Sequence, residues 1–395
     1  MNEEHRVEWH PSDYSAPVQR VFMLSLDSLS LPFVRAHLNR LPAFERLIER
    51  GSLRLLGSSG DFASESVWPS FCLGAQPGTH GQYYPFQWDA RTMSFRRPDR
   101  GCWAQSFNFD PFWFALARKG FKVAVFDAGQ INHQIKVPCV QIVNWSYQAT
   151  GSASSNPPEL LAEVRRRFGY RPIGPEVQVP KGRRQCNAIR DSLLRAVKAK
   201  ADSIIWLAET QDWQFLLAGM YELHRAGHNL WPINDEFASD AAPDAMLDVY
   251  MEVDRQLTRI LNSINLMSTA VVIFTLNGMD ANRAQDHFLP EILNRLNGVY
   301  LSQVGKTRGR VGRFNIFGSL RKALPYALQS WAARLMGENV QDWVVNKSLT
   351  SSLDWASTPA FALSTGGEGF IRLNLKGRER EGCLEPDEAD ALSVG

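Results

Sequence analysis

The sequence predicts an α/β fold in which helices cover a mostly parallel central sheet. Along most of the chain, short apolar runs alternate with segments whose apolar residues recur at helical spacing, which is typical of βα repeats. Two of the runs, 21–26 and 271–276, end abruptly in polar residues, as buried parallel strands do where they open onto a crevice. With 395 residues, 44% hydrophobic and 21% charged, the chain has the composition of a globular protein with a large core.

The predicted elements follow this alternation. Residues 32–50 carry apolar side chains at helical spacing up to Gly51, which predicts a helix. Asp110 is the expected N-cap of a helix that begins at Pro111. In chain order, we expect a strand at 21–26, helices at 32–50 and 111–118, a strand at 122–126, helices at 158–168 and 186–200, a strand at 215–221, a helix at 243–266, a strand at 270–275 and a helix at 289–296. Loops or insertions are expected at 150–158 and 301–313.

Charge, cysteine content and hydropathy exclude several classes of protein. The net charge of +2 gives no global electrostatic reason to expect nucleic-acid binding. The five cysteines are scattered and form no CxxC pair, which favours reduced thiols. The first 15 residues are polar and lack the apolar region of a secretory signal, and no stretch approaches the ~20 apolar residues of a membrane span. We therefore expect a cytoplasmic protein without a transmembrane segment.

Four separated segments, 21–29, 64–81, 221–231 and 271–282, carry the polar residues that suggest chemistry. In open α/β sheets, ligands bind outside the carboxyl ends of the strands, so side chains that follow different strands are expected to share one site. Carboxylate, imidazole and hydroxyl groups together suit a divalent metal with an activated nucleophile. The candidates from these segments are Asp27, Ser64, His224, His228 and Asn277.

These motifs resemble those of the alkaline phosphatase superfamily, and within it the type I phosphodiesterase/nucleotide pyrophosphatase branch, over about residues 21–382. That family opens with a strand that ends in a metal-binding Asp, and Asp27 matches it. Its serine or threonine nucleophile precedes the Gly of a "TG…P…HG" segment by ten residues. Here Leu73-Gly74, Pro77 and His80-Gly81 form that segment, which places the nucleophile at Ser64.

The later motifs match less completely. The family's third motif, Asp, three residues and His, becomes His224-x-x-x-His228. Its fourth motif, Ser-Asp-His-Gly-Met, becomes TLNGM at 275–279. Near the place of a late metal-binding His, the segment 366–379 carries Glu368. The resemblance implies one metal held by His224, His228 and Glu368, and a second position formed by Asp27, Ser64 and Asn277. Leu276 cannot bind a metal and the Asn277 carbonyl is a weak ligand, so the second position is expected to bind more weakly.

The resemblance also implies an alkaline phosphatase-like three-layer sandwich with inserted cap elements. We expect a lead-in at 1–18, a catalytic domain at 19–382 with cap insertions near 150–200 and 300–350, and an acidic tail at 383–395. Zinc is the expected metal, as one or two ions, with manganese or magnesium as alternatives.

Each candidate residue has a simpler alternative role. Asp27 could cap the helix that follows it, and Ser66 competes with Ser64 for the nucleophile position. His224 and His228 could lie on one helix face, in a ligating loop, or as a hydrogen-bonded surface pair. Asp280 is a turn residue or a replacement ligand. His80 is expected to be architectural, and His287 is a fallback ligand.

The segment 306–334 carries seven Lys/Arg and no acidic residue, interleaved with aromatic and aliphatic side chains. Such a basic amphipathic stretch suits an anionic membrane surface, a lid over an anionic substrate, or a cap helix packed on the body with a solvated basic face. The sequence leaves these three possibilities open.

The function predicted from these residues is metal-dependent hydrolysis of a small anionic phosphate ester, either a phosphodiester or a phosphomonoester, with Ser64 attacking phosphorus. One alternative is a catalytically degenerate member that acts as a binding protein, which the altered fourth motif favours. Another is a transferase that passes the phosphoryl group, or another group, to an acceptor other than water. The oligomeric state is left open.

Overall fold

The computed structural model divides into two compact units. The first comprises Met1–Gly60, Val67–His80 and Arg100–Asn282, and the second comprises Asp61–Ser66, Gly81–Asp99 and Arg283–Gly395. Within these bounds, the structure describes residues 17–61, 63–83, 87–96, 110–129, 137–146, 153–170, 172–173, 183–231, 244–281, 288–305, 343, 346–347, 349–350, 353–363 and 369–394.

The strands are short. In chain order, they are β1 (Arg20–Leu26), β2 (Gln87–Asp89), β3 (Ser94–Arg96), β4 (Val123–Phe126), β5 (Val140–Val143), β6 (Ser154–Asn156), β7 (Phe215–Met220), β8 (Thr269–Phe274), β9 (Ala360–Ala362) and β10 (Ile371–Leu373).

The helices vary much more in length. They are α1 (Leu31–Ala36), α2 (Pro42–Arg50), α3 (Val67–Leu73), α4 (Pro77–His80), α5 (Phe112–Arg118), α6 (Glu159–Phe168), α7 (Arg183–Thr210), α8 (Glu222–Leu230), α9 (Ala245–Asn262), α10 (Phe288–Gln303) and α11 (Pro386–Val394).

The first unit is built on a six-stranded sheet with the order β6-β5-β4-β7-β1-β8. All neighbouring pairs are parallel except β5–β6, which is antiparallel. Every residue of β4 and β7 is buried, which requires cover on both faces of the sheet, as in α/β proteins. The predicted α/β class with a mostly parallel central sheet is confirmed.

Two local predictions in the first unit were wrong. The predicted helix at 32–50 is interrupted, because Pro42 disfavours helical geometry in the residue before it: α1 ends at Ala36, a 3-10 turn covers Leu38–Arg40, and α2 begins at Pro42. Asp110 does not cap α5. Pro111 occupies the N-cap position without a side-chain hydrogen bond, and Asp110 pairs with Arg118 instead.

The sequence also failed to predict two strands of the first unit and all four short strands of the second unit, β2, β3, β9 and β10. β5 was not predicted, and β6 lies inside the stretch 150–158 that was interpreted as a loop or insertion. Helix α7 begins three residues before the predicted 186–200 and ends ten residues after it.

The carboxyl ends of the parallel strands carry unusual backbone conformations. Ser28 after β1, Asp127 after β4 and Asn144 after β5 have φ values of 59°, 53° and 57°. Left-handed conformations in non-glycine residues are uncommon and persist only where surrounding contacts hold them. Three constrained backbone positions therefore lie at the edge of the sheet at which ligands bind in α/β folds.

The second unit contains two small antiparallel sheets, β2–β3 and β9–β10. Helix α10 is fixed to β9 by Asn297, whose side chain donates to Ala360 O at 2.7 Å and accepts from Ala360 N at 3.0 Å.

In the predicted acidic tail, α11 covers Pro386–Val394. Most of the predicted insertion near 300–350 lies outside the described residues, and the domain boundaries stay a prediction. No helix in the described ranges has the length and apolar character needed to cross a membrane.

Candidate functional site

Asp27 follows β1 directly and is almost fully buried. Its Oδ1 accepts a hydrogen bond from Trp68 Nε1 at 3.1 Å, and its Oδ2 lies 3.0 Å from His224 Nδ1. The N-cap alternative is wrong, because Ser30 occupies that position and its Oγ accepts from Phe33 N. Since buried carboxylates require partners, the Trp68 indole N–H and the nearby His224 ring explain how this side chain is accommodated at the sheet edge.

His224 and His228 lie one turn apart on α8, which begins two residues after β7 ends. Of the three arrangements that the sequence left open, the ligating loop is wrong, because both residues lie on one helix face. The structure agrees with both a metal-binding helix face and a hydrogen-bonded histidine pair. The Nε2 atoms of the two rings lie 2.9 Å apart. His224 Nδ1 is also 2.8 Å from Ser28 Oγ. If Nδ1 carries the proton and donates to Asp27, the lone pair of His224 Nε2 points toward His228.

Helix α8 is held against the loop that follows β8. A Cβ atom added to Gly227 would lie 2.5 Å from Met279 Cγ, so Met279 packs directly on the glycine that precedes His228. In the same loop, Leu276 packs against the apolar core of the first unit. A Cβ atom added to Gly60 would lie 3.2 Å from Asn277 Oδ1. The altered fourth motif therefore contacts α8, because Met279 packs on Gly227. Leu276 of the same motif packs against apolar residues.

The other polar groups of this loop bond locally. Thr275 Oγ1 donates to Asn277 O, and Asp280 Oδ1 accepts from Ala281 N at 2.7 Å. Asp280 therefore behaves as the turn residue that one of the two sequence interpretations expected.

Ser64 belongs to the second unit, where it begins a 3-10 turn, Ser64–Ser66. Its rival Ser66 is fully buried, and the Ser66 hydroxyl donates to Ala63 O at 2.7 Å. Ser64 is only partly buried. Of the two serines in this turn, Ser64 is the more accessible, and its role as the nucleophile stays a prediction.

A second strand-end carboxylate, Asp127, escaped the sequence analysis. It is fully buried, its Oδ1 and Oδ2 accept from Trp145 N and Ser146 N, both at 2.8 Å, and it forms an ion pair with fully buried Lys200 of α7. The Lys200 ammonium lies 4.9 Å from the Phe126 ring and 5.1 Å from the Trp145 ring. The signal was available, because 123–127 repeats the pattern of an apolar run that ends in Asp.

Asp127 is linked to the start of α8 by Tyr221. The Tyr221 hydroxyl donates to Asp127 O and accepts from Gly129 N, each at 2.7 Å. The next residue, Glu222, is buried, and burial raises the pKa of its carboxyl group, while the Lys200 ammonium acts in the opposite direction. The base of the histidine helix is thus tied to the buried ion pair.

The remaining candidates have separate outcomes. His80 is buried, its Nε2 lies 3.0 Å from Ser70 Oγ, and burial lowers the pKa of its imidazole, which agrees with an architectural position. Glu368 and His287 lie outside the described residues, so their roles stay predictions.

The chemistry of the histidine pair suits a divalent metal in part. Two nitrogens around a tetrahedral zinc at about 2.0–2.1 Å lie about 3.3 Å apart, which is close to the separation of the two Nε2 atoms. Within the described ranges, however, no group of three or more His, Cys, Asp or Glu is arranged to hold a metal. The described residues therefore offer two convergent imidazole ligands and no complete ligand set.

A family model described as type I phosphodiesterase / nucleotide pyrophosphatase matches residues 21–335. The chain belongs to this family. The resemblance read from the motifs is thereby confirmed for most of the chain. Members of the family generally depend on divalent metals. A search of curated proteins gives no match.

Solved structures similar to this chain include two of phosphonoacetate hydrolase from Sinorhizobium meliloti 1021. The complex with phosphonoformate has a TM-score of 0.45 and the complex with phosphonoacetate a TM-score of 0.46, each at 17% identity. Each match covers 71% of this chain and 62% of the hydrolase, so this chain matches less than two thirds of the hydrolase's length.

Proposed function

We propose that this chain is a metal-dependent hydrolase of phosphate esters that uses Ser64 as its nucleophile. The observation that carries the proposal is the convergence of the His224 and His228 Nε2 atoms next to the buried Asp27 carboxylate. Paired imidazoles whose outer nitrogen is held by a carboxylate are the usual arrangement of histidine metal ligands. Membership of the type I phosphodiesterase family supports the same chemistry.

In this proposal, His224 and His228 hold a divalent cation together with Glu368, and zinc fits two imidazoles and a carboxylate best. Asp27 orients His224 by accepting from Nδ1, which keeps the Nε2 lone pair available. A bound divalent cation would stabilise charge on the non-bridging phosphate oxygens and favour ionisation of a nearby hydroxyl. The Ser64 Oγ then attacks phosphorus, the alcohol leaves, and water hydrolyses the phosphoserine ester.

The substituted fourth motif limits the metal content that we expect. Leu276 provides no ligand and packs, partly buried, against the core, and Asn277 offers a neutral oxygen. One tightly bound divalent ion per chain is therefore proposed, and the Asp27 side binds a second ion weakly. Elemental analysis of native protein checks this stoichiometry, and two tightly held zinc ions would contradict it.

The hydrolase proposal is tested with the full chain, added zinc, manganese or magnesium, and aryl phosphomonoester, phosphodiester and sulfate-ester substrates. Ser64→Ala should abolish turnover, because it removes the attacking oxygen. Ser66→Ala is the matched control and should retain turnover, since the Ser66 side chain is fully buried and donates to Ala63 O. Trapping a phosphorylated Ser64 by mass spectrometry would support the covalent step directly.

A binding protein that has lost turnover is the second candidate, and the apolar packing of Leu276 is the observation that favours it. It predicts that the chain binds a phosphate ester by calorimetry without consuming it. If no substrate class is turned over with any of the three metals, and Ser64→Ala leaves ester binding unchanged, the hydrolase proposal fails and this candidate replaces it.

A further inference from the structure

Ser28, the second residue after β1, has a backbone conformation that serine rarely adopts. Its φ of 59° lies in the left-handed region, which is unfavourable for residues with a side chain and which glycine occupies freely. Ser28 is also almost fully buried, with 2% of its surface exposed. Such strain persists only where surrounding contacts hold it, and it clusters at functional sites. A glycine would form this turn more easily, so the serine side chain itself needs an explanation.

The Ser28 hydroxyl reaches His224, which lies on a different element. Ser28 Oγ is 2.8 Å from His224 Nδ1, and Asp27 Oδ2 is 3.0 Å from the same nitrogen. Within the described ranges, His224 is the one hydrogen-bond partner of the Ser28 hydroxyl. Two oxygen atoms from the end of β1 therefore face one ring nitrogen of a residue on α8.

These two contacts favour one tautomer of His224. An ionised carboxylate only accepts hydrogen bonds, so a carboxylate oxygen beside Nδ1 requires that Nδ1 carries the proton. The Ser28 hydroxyl can accept as well as donate, and it can share the same N–H. The lone pair of the ring then lies on Nε2, the atom that faces His228 Nε2 at 2.9 Å. A histidine that binds a cation needs this arrangement, because the ligating nitrogen must be unprotonated.

We propose that Ser28 is a positioning residue for His224. The ring torsion of histidine is broad, so a single acceptor at Nδ1 leaves a range of ring orientations. A second acceptor narrows that range and holds Nε2 toward His228 before a cation arrives, which lowers the free energy needed to order the site on binding. This role rests on the proposed function of His224 as a metal ligand. The strained backbone at residue 28 is what places the hydroxyl within reach of the ring.

Two substitutions separate the hydroxyl from the backbone strain. Ser28→Gly removes the hydroxyl and relieves the strain, whereas Ser28→Ala removes the hydroxyl and keeps the strain. Both should weaken zinc binding by the full chain about tenfold, measured by isothermal titration calorimetry. Ser28→Gly should nevertheless unfold at a higher temperature than Ser28→Ala. If Ser28 only shaped the turn, Ser28→Gly would bind zinc like the wild type.

Ser25→Ala is the matched control. Ser25 lies on β1, three residues before Ser28, and is fully buried, and its hydroxyl has no hydrogen-bond partner within the described ranges. Its removal deletes a buried serine hydroxyl from the same strand without touching His224. Zinc affinity should therefore change by less than about threefold.

The metal-free protein gives a measurement that depends on neither zinc nor turnover. Nitrogen-15 NMR distinguishes the two tautomers of an imidazole by the chemical shifts of its ring nitrogens. The His224 signals, assigned by their absence from His224→Gln, should show a protonated Nδ1 in the wild type and in Ser25→Ala. In Ser28→Gly, the same N–H should exchange with water at least about tenfold faster, because the ring is held less firmly.

Any of four results would overturn this role for Ser28. They are wild-type zinc affinity in Ser28→Gly, an equal loss of zinc affinity in Ser25→Ala, a proton on Nε2 of His224 in the metal-free wild type, and unchanged N–H exchange in Ser28→Gly. A wild type that binds no zinc would contradict the metal-dependent hydrolase proposal instead, and the metal-free NMR comparison would then decide the role of Ser28 alone.

Discussion

Asp27 and Asp127 end two parallel strands of the same sheet, and each is preceded by an apolar run and buried. Asp127 accepts from two backbone N–H groups and pairs with fully buried Lys200. Asp27 accepts from the Trp68 indole and faces His224, whose ring is about one third exposed. Asp127 is therefore surrounded by buried groups only. Asp27 is also buried, but it lies next to His224, which is partly exposed and contacts His228.

The difference between the two carboxylates lies in their partners and not in their strands. Lys200 comes from the middle of α7, and His224 comes from the first turn of α8, both far from their carboxylate in sequence. A strand-end Asp therefore identifies the functional edge of the sheet, and the helix that reaches it decides between a structural and a chemical role. Four substitutions or conditions test this distinction.

The largest expected effect is on stability at the closed carboxylate. Lys200→Met should lower the free energy of unfolding by about 3–5 kcal/mol, because removing one partner leaves Asp127 buried without its counter-ion. Lys198→Met, two residues away on α7, removes an exposed pair with Asp202 and should cost less than about 1 kcal/mol. Urea denaturation of both variants makes the comparison. Equal costs would mean that the Asp127–Lys200 pair is not the structural anchor described here.

At the open carboxylate, the expected effect is on metal binding. Asp27→Asn should weaken zinc affinity about 10- to 100-fold, because an amide holds the His224 tautomer less firmly than a carboxylate does. Isothermal titration calorimetry measures the affinity. Asn277→Ala is the control and should change it by less than about threefold, since a neutral amide is a poor zinc ligand. An unchanged zinc affinity in Asp27→Asn would show that Asp27 does not orient His224. A lower affinity in Asn277→Ala would show that Asn277 is a ligand.

The packing that holds α8 in place gives a smaller effect. Gly227→Ala places a methyl group against Met279 and should destabilise the protein by about 1–3 kcal/mol through overpacking. Gly298→Ala on α10 meets open space, and should stabilise by up to about 1 kcal/mol because alanine favours the helix. Thermal unfolding of the two glycine variants should therefore shift in opposite directions. A Gly227→Ala variant that is as stable as the wild type, or more stable, would show that Met279 moves aside without cost.

The smallest expected effect is on the pH dependence of stability, through the buried imidazole of His80. Burial lowers the pKa of this imidazole below its usual value, so the unfolded chain binds the proton more readily than the folded one. Its contribution to stability is present above the ordinary histidine pKa of about 6.5 and is lost as pH falls below it. Chemical denaturation between about pH 7 and pH 5 should show this loss, and His80→Gln should reduce the slope. A slope that is the same in the variant would exclude His80 as its source.

Much of this fold could be predicted from the sequence, because hydrophobic periodicity and the Gly and Pro residues that end helices and strands are local features. The sequence predicted four strands and three helices with every boundary within seven residues of the observed one. They are β1, β4, β7, β8, α6, α9 and α10. The misses have local causes as well. Pro42 interrupts a run whose apolar spacing continues across it, and β6 is a three-residue polar edge strand without alternation of its own.

For the candidate site, the sequence predicted which segments contribute residues. The strand-end pattern and the HxxxH spacing selected Asp27, His224 and His228, and the structure brings these three together. The same pattern at Asp127 was overlooked, and nothing in the pattern distinguishes the two aspartates. Ser28, Trp68 and Met279 also touch the site, and each is an ordinary residue type whose contact depends on long-range packing.

The sequence by itself determined the α/β class, the family and the segments that reach one edge of the sheet, because hydrophobic periods and motif spacings are written along the chain. Only the tertiary structure decided which carboxylate meets a lysine and which meets a histidine, that Leu276 packs against the core, and that α10 exposes one apolar face. Those outcomes depend on which helix packs over which strand end, and the partners are set by contacts between residues that are dozens to hundreds of positions apart.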